Sequence, residues 1–301
     1  MPAIRTQWRD GRHFQHGPID VLIGADGEHD AVEAAHEAAW RRFETILDEL
    51  VAELPLLKRP VRGPCPLRGD IARRMWLACR PHHEAFITPM AAVAGAVAQE
   101  LIGFYRQPGI RRAWVNNGGD IALHLAPGES LRVGLFADIA KLDARQLLEG
   151  HGGLALDGRF AITAAMPVRG IATSGWRGRS FSLGIADSVT VLARTAAEAD
   201  AAATMIANAV NSDDPRIVRR PANTLKDDSD LGDIPVTVDV PPLAHAQVLD
   251  ALRAGAKCAR ALQSRALIWS AALVCQSRLA RVEPVHPPEP QPAIAAESTP
   301  T

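Results

Sequence analysis

The sequence predicts a mixed helix-and-sheet fold, and three observations carry that prediction. The run from Asp30 to Leu56 has the alanine, glutamate and leucine content and the spacing of a long amphipathic helix. From Arg112 to Arg194, short apolar runs alternate with turn residues in the manner of sheet strands. Thr195-Ala196-Ala197-Glu198 then reads as a capping box, with Thr at the N-cap and Glu at the third helical position, and it opens a second helix.

In chain order, Ile19 to Gly24 forms a short strand ended by the turn signal Ala25-Asp26-Gly27. Pro55 and Pro60 end the long helix, and the prolines and glycines from Pro60 to Asp70 mark a loop. Thr88 as N-cap with Pro89 at the first helical position starts a helix running to about Phe104. Strands are expected over Ala113 to Asn116, Ile121 to Leu125, Leu131 to Ala137, Arg159 to Ala164, Gly170 to Thr173, Ser180 to Ile185 and Ser188 to Ala193. The capped helix reaches about Asn211. A strand from Pro235 to Val240, a helix from Ala244 to about Ser264 and a strand from Ala266 to Val274 complete the core. Residues 1–282 read as one domain. Residues 283–301 are a proline-rich tail with too little apolar surface to fold.

Composition removes several functional classes. Lys plus Arg number 33 against 34 Asp plus Glu, so no global positive field suggests nucleic acid as a partner. The longest uncharged segment, Ala85 to Gln99, is interrupted by Thr88-Pro89 and falls short of the roughly 20 residues of a membrane span; it reads as a buried helix. The first thirty residues carry no apolar stretch of signal-peptide length, so a cytoplasmic protein is expected. The four cysteines form no Cys-x-x-Cys pair and read as reduced structural residues. Cys79-Arg80-Pro81-His82-His83 reads as a proline-interrupted loop with solvated histidines, and Asp227 to Asp233 as an acidic surface loop without calcium-loop spacing.

Three segments have the chemistry of a ligand site. From Ala196 to Val210 the polar residues are Glu198, Asp200, Thr204 and Asn208, and the last three lie at i, i+4 and i+8 on one stripe. That stripe is either a solvent face or the wall of a cleft in which Asp200 and Thr204 hold a hard cation such as magnesium. Gly170-Ile171-Ala172-Thr173-Ser174-Gly175 ends a strand in small residues that admit backbone N–H groups to phosphate oxygens. Trp176, Arg177 and Arg179 follow it, either as a stacking surface and anion partners or as a packed tryptophan and solvated arginines beside a tight strand connection. Asn116-Asn117-Gly118-Gly119 is a turn that needs positive φ, with Asp120 at the mouth of the next strand.

These segments, in this order, resemble the FAD:protein FMN transferase family, also called ApbE, with its Asn-x-Gly-Gly-Asp turn, Ala-Thr-Ser-Gly turn and Ala-Asp-Ala-x-x-Thr helix. The resemblance covers a third to a half of the chain and is clearest from Arg112 to Asn211. It implies an α+β fold of sheet layers packed by helices with a ligand cleft, and FAD or a related nucleotide diphosphate neutralised by magnesium. Asp200 and Thr204 match the family's metal ligands. The backbone carbonyl of Ala94 matches a third, more weakly, because Gly95 stands where the family has Lys. Asn117, Gly118, Gly119, Asp120, Thr173, Ser174, Gly175, Trp176 and Arg177 are the nucleotide-contact candidates. The family's His-x-x-Asp-Pro-x-Thr-Gly is reduced to Phe181 to Ser188, in which Asp187 alone matches as a catalytic candidate. Without that His as proton acceptor, transfer of FMN to a protein hydroxyl is not implied.

The expected function is therefore magnesium-dependent binding of a flavin nucleotide. The alternatives are a cofactor-metabolising enzyme that uses the cleft for another ring such as a pterin, and a non-catalytic scaffold or assembly protein. The expected partner is a small-molecule nucleotide, with neither nucleic acid nor membrane; a homo-oligomer is compatible with the sequence.

Overall fold

The computed structural model describes residues 2–9, 11–135 and 158–285. Its frame is a nine-stranded sheet in which every neighbouring pair is antiparallel. In chain order the strands are β1 (Ile4–Trp8), β2 (Gly11–His16), β3 (Ile19–Gly27), β4 (Ile110–Asn117), β5 (Asp120–Leu125), β6 (Ser130–Leu135), β7 (Gly158–Thr163), β8 (Gly170–Ser174), β9 (Ser188–Ala193), β10 (Val218–Pro221), β11 (Pro235–Asp239), β12 (Ser270–Cys275) and β13 (Arg278–Val282). The sheet runs β1-β2-β3-β4-β5-β8-β9-β12-β13, while β6 with β7 and β10 with β11 form separate hairpins. The helices are α1 (His29–Ala52), α2 (Leu54–Leu57), α3 (Asp70–Cys79), α4 (Val93–Leu101), α5 (Ala196–Ala209) and α6 (His245–Ser264). Helices segregated from an antiparallel sheet make this the expected α+β class.

Strand alternation decides what each face of the sheet carries. Val21, Ile23, Ala113 and Val115 are buried among α1, α3 and α4 in one cluster. Ala172, Val189, Val191, Ala271 and Leu273 are buried with α5 and α6 in a second. The opposite face of β5 and β8 presents Leu123, Leu125 and Ile171, which Val133 and Ile162 of the β6–β7 hairpin cover.

Several sequence expectations need correction. β1, β2 and β13 were not expected: β1 is an exposed edge strand whose side chains alternate too little to signal burial. α3 was not expected either; Ile71, Met75 and Trp76 bury one side of it in ten residues. Ser180 to Ile185 is not a strand. The Asn208 side chain accepts the Leu183 N–H at 2.9 Å, and the Ser182 carbonyl accepts the Thr237 N–H at 2.8 Å, so side-chain and loop contacts replace a ladder. Thr88 does not cap a helix: its hydroxyl donates to Asp230 at 2.5 Å, and residues 89–92 form a 3-10 turn before α4 begins. The capping box is half made. Thr195 Oγ1 accepts the Glu198 N–H at 3.3 Å, but the Glu198 carboxylate goes to Arg194 at 3.0 Å. His82 is buried rather than solvated, and burial pulls it down to about 4, while His83 is exposed. Phe136 and Ala137 of the expected Leu131 to Ala137 strand, and most of the tail, lie outside the described residues.

One close crossing sets the position of α5. A Cβ on Gly95 would overlap the Ala196 carbonyl oxygen and stand 2.9 Å from the Asp200 Cβ, so α4 and α5 meet backbone to backbone. This explains the glycine at the position where the resembling family has Lys: a side chain there would push α5 off α4. Gly95→Ala should therefore destabilise the protein by about 1–3 kcal/mol. Gly103→Ala, where an added Cβ meets no atom within 4 Å, should stay within about 0.5 kcal/mol. Urea unfolding of the two variants checks this, and equal effects would show that the crossing is not tight.

Candidate functional site

The β4–β5 hairpin turns through Gly118 (φ +67°) and Gly119 (φ +113°) between the paired residues Asn117 and Asp120. Two consecutive positive φ values in a two-residue loop suit the twist of the flanking strands, and glycine adopts them without steric cost. Asn116 Oδ1 accepts the Gly119 N–H at 2.8 Å and fixes the turn. Asn117 is buried, and its side-chain amide donates to the Ala94 carbonyl at 3.2 Å, tying the hairpin to the start of α4.

Two carboxylates converge beside this junction. Asp200 of α5 accepts the Gly95 N–H at 2.9 Å. Asp120, on the helix-facing side of β5 with Ala122, accepts the Thr173 N–H at 3.3 Å. Burial, which outweighs the Thr173 N–H and the Arg179 charge, pushes Asp120 up to about 7. Burial first, and then the negative charge of Asp120, drive Asp200 well above the usual carboxylate range; the N–H groups of Gly95 and Ala94 oppose this only in part. Two neighbouring carboxyl groups in one low-dielectric site cannot both ionise cheaply, so the pair holds a proton that a cation would replace.

The sequence candidates divide between those at this pair and those elsewhere. Asn117, Gly118, Gly119, Asp120, Asp200 and the Ala94 backbone come together. Thr204 follows Asp200 by one turn, partly exposed, and its hydroxyl makes no hydrogen bond among the described residues. Thr173 contributes its N–H alone, because strand alternation turns its hydroxyl to the other face of the sheet, where it lies 2.9 Å from Thr190 Oγ1. Ser174, the next residue, lies on the helix-facing side. Gly175 packs against the Asp187 backbone, where a Cβ would overlap the carbonyl oxygen. Trp176 has its indole N–H 3.3 Å from Asp187 Oδ1 and its ring 4.8 Å from the exposed Arg177 guanidinium, so these three residues hold one another. The other Asp187 oxygen accepts the Gln276 N–H at 2.5 Å, which ties it to the β12–β13 turn.

Arg179, rather than Arg177, is the arginine at the hairpin. Its guanidinium fills the space a side chain on Gly118 would occupy, and its charge acts on Asp120. The spacing Arg-x-Arg signalled two cations, but the loop that separates them in space has no sequence period. Asn208 leaves the polar stripe for a structural role, since its Oδ1 accepts the Leu183 N–H. Among the described residues there is no cluster of three or more His, Cys, Asp or Glu suited to a metal; a cation here would rest on two carboxylates, a hydroxyl and backbone oxygen. No helix is long and apolar enough to cross a membrane.

The model of the family described as AbpE bacteria matches residues 5–283. A UPF0280 protein of Methanopyrus kandleri is 36% identical over 215 residues, 69% of this chain and 78% of the relative. A UPF0280 protein of Methanoculleus marisnigri is 36% identical over 245 residues, 78% of this chain and 91% of the relative. Among solved structures, the apo form of the flavinyl transferase ApbE of Pseudomonas stutzeri gives a TM-score of 0.42 at 10% identity over 93% of each chain. The ApbE protein of Thermotoga maritima gives 0.39 at 12% identity, over 70% of this chain and 87% of the other. On the family match across residues 5–283 and the 36% identity to UPF0280 proteins, the chain belongs to the AbpE bacterial family, with the UPF0280 proteins as its relatives.

Proposed function

We propose that the protein binds a flavin nucleotide, FAD or a related diphosphate, together with magnesium at the Asp120–Asp200 pair. The observation that carries this reading is the pair itself: two desolvated, half-buried carboxyls meet at the α4 N-terminus and hold a proton that a cation would replace. The residues fit a hard cation. Asp200, the Thr204 hydroxyl and the Ala94 carbonyl are oxygen donors on α5 and α4, and Asp120 faces them from β5. When bound, magnesium would neutralise the diphosphate charge. The chain's own groups would then orient the nucleotide: Arg179 over Gly118 offers a cation to the phosphates, and Ser174 on the helix-facing side of β8 is small enough to let them approach. Family membership and the motif resemblance support the flavin part of this reading.

Calorimetry with FAD, ADP and ATP, with magnesium and then with EDTA, tests it directly. Saturable binding that EDTA removes is expected; no detectable binding at millimolar nucleotide in either condition would sink the assignment. Asp200→Ala should abolish the magnesium-dependent part while leaving the free protein as stable or more stable, since an uncompensated buried carboxylate costs a few kcal/mol. In thermal melts the wild-type midpoint should rise with magnesium plus nucleotide and the variant's should not.

The pH dependence has a defined sign. Asp120 has its pKa raised from 3.8 unfolded to about 7 folded, so its favourable contribution is complete below pH 3.8 and is lost as pH rises through about 7. Asp120→Asn, which keeps an acceptor for the Thr173 N–H, should gain stability over the wild type progressively across that window. Magnesium affinity of the wild type should climb over the same window, because the cation displaces the shared proton. Denaturant curves and magnesium titrations at pH 5, 6, 7 and 8 measure both, and a flat difference would remove the coupling.

Transfer of FMN to a protein acceptor should be slow or absent, since the segment Phe181 to Ser188 holds no His and the Asp187 oxygens are already hydrogen-bonded. Incubation with FAD, magnesium and an acceptor peptide, read by in-gel flavin fluorescence, decides this. Rapid labelling would mean that another group accepts the proton.

A further inference from the structure

A second concave site lies at the other end of β4 and β5. This cleft of about 1120 Å³ is lined by Arg106, Arg111, Arg169, Arg194 and His124, against a single carboxylate, Glu28. His124 and Asp120 are four residues apart on β5, about 13 Å. Between them Ala122 is buried under α4 at 1% exposure, which separates the cleft from the carboxylate pair.

Charge in the cleft is one-sided and partly desolvated. Arg169 donates to three backbone carbonyls, Met166, Val168 and Ala164, at 2.6 to 2.8 Å, and has no carboxylate partner among the described residues. Those bonds hold its guanidinium in place without neutralising it. Arg106 and Arg111 are exposed, with side chains that make no hydrogen bond or ion pair among the described residues; only Arg194 is paired, to Glu198. His124 Nε2 lies 3.2 Å from the Ile110 carbonyl oxygen, and burial followed by the charges of Arg106 and Arg169 lowers its proton affinity. Its wall is different in kind. Pro108, Ala126 and Pro127, exposed or half-buried, give it apolar surface, so the cleft combines a hydrophobic wall with a cationic rim. That combination is how small-molecule sites fix a ligand with an apolar body and a charged head.

We propose that this cleft is a separate binding site for a small organic phosphate, a phosphomonoester on an apolar body, with Arg106 and Arg111 pairing the phosphate and Arg169 supplying fixed positive potential behind it. A phosphate suits the rim better than a single carboxylate, since two guanidinium forks can each engage a pair of its oxygens. The concave volume favours a small molecule over an extended acidic chain.

The experiment uses the full-length protein in EDTA, so that the proposed magnesium–nucleotide site is silent. Phenyl phosphate, benzoate and phenol are titrated by calorimetry and by NMR of the histidine ring resonances, with His124 assigned through His124→Gln. Expected are saturable one-to-one binding of phenyl phosphate with a shift of the His124 signal, weaker binding of benzoate, and none of phenol. Arg106→Gln and Arg111→Gln should each weaken phenyl phosphate about tenfold, the scale of one charge-assisted pair, with unchanged circular dichroism because both side chains are exposed. Phenol binding as tightly as phenyl phosphate, arginine variants without effect, or an unmoved His124 signal would each overturn the proposal. An acidic hexapeptide that displaces phenyl phosphate at equal concentration would overturn the small-molecule assignment.

Discussion

The backbone contact between Gly95 and Ala196 is the constraint on which the rest of the site depends. Helices normally stand apart by the depth of their side chains. Here a glycine on α4 faces an alanine carbonyl at the start of α5, and Ala197 and Ala201 are buried in the adjoining core. The close approach places the Asp200 side chain where it can accept the Gly95 N–H at the beginning of α4. It also leaves the Ala94 carbonyl beside the β4–β5 hairpin, where Asn117 reaches it. One small-residue crossing thus gathers a helix start, a carboxylate and a glycine turn that are 105 and 23 residues apart in the two hydrogen-bonded pairs.

Such an arrangement is costly without a ligand. The Asp120 and Asp200 carboxyls are desolvated by the same packing that holds them, and among the described residues a single positively charged side chain, Arg179, acts on Asp120. Buried charges that lack compensation lower stability, and proteins retain them where a bound species supplies the balance. The opposite imbalance, three arginines without carboxylate partners among the described residues, occurs about 13 Å away along β5. Two sites of opposite sign on one strand are more economically explained by two ligands of opposite charge than by chance in a chain whose total is 33 basic and 34 acidic side chains.

Much of this was legible in the sequence, for identifiable reasons. The hairpin was readable because Gly118-Gly119 satisfies a local backbone requirement. The polar stripe on α5 was readable because 3.6-residue periodicity is also local, and Asp200 and Thr204 stand one turn apart as expected. What escaped was non-local. β1 and β13 are edge strands with little alternation, so their pairing partners rather than their own residues define them. Ser180 to Ile185 had strand-like content, yet Asn208, 25 residues ahead of Leu183, took the N–H a ladder would have used. Thr88 had the identity and position of an N-cap, but Asp230, 142 residues later, claimed its hydroxyl.

The assignment of individual side chains within a recognised motif follows the same division. Thr173-Ser174-Gly175 reads as one small-residue turn, yet the two-residue period of β8 sends Thr173 Oγ1 to Thr190 on one face and leaves Ser174 on the other. Arg177 and Arg179 share a loop, and a two-residue offset again separates them: one lies over Trp176, the other over Gly118. A motif therefore identifies a backbone shape, while parity along the strand decides which of its side chains can meet a ligand. By that criterion the groups that would meet a ligand at the carboxylate pair in the proposed reading are Asp120, Asp200 and Arg179, while the Thr173 hydroxyl pairs with Thr190 and the Arg177 guanidinium lies over Trp176.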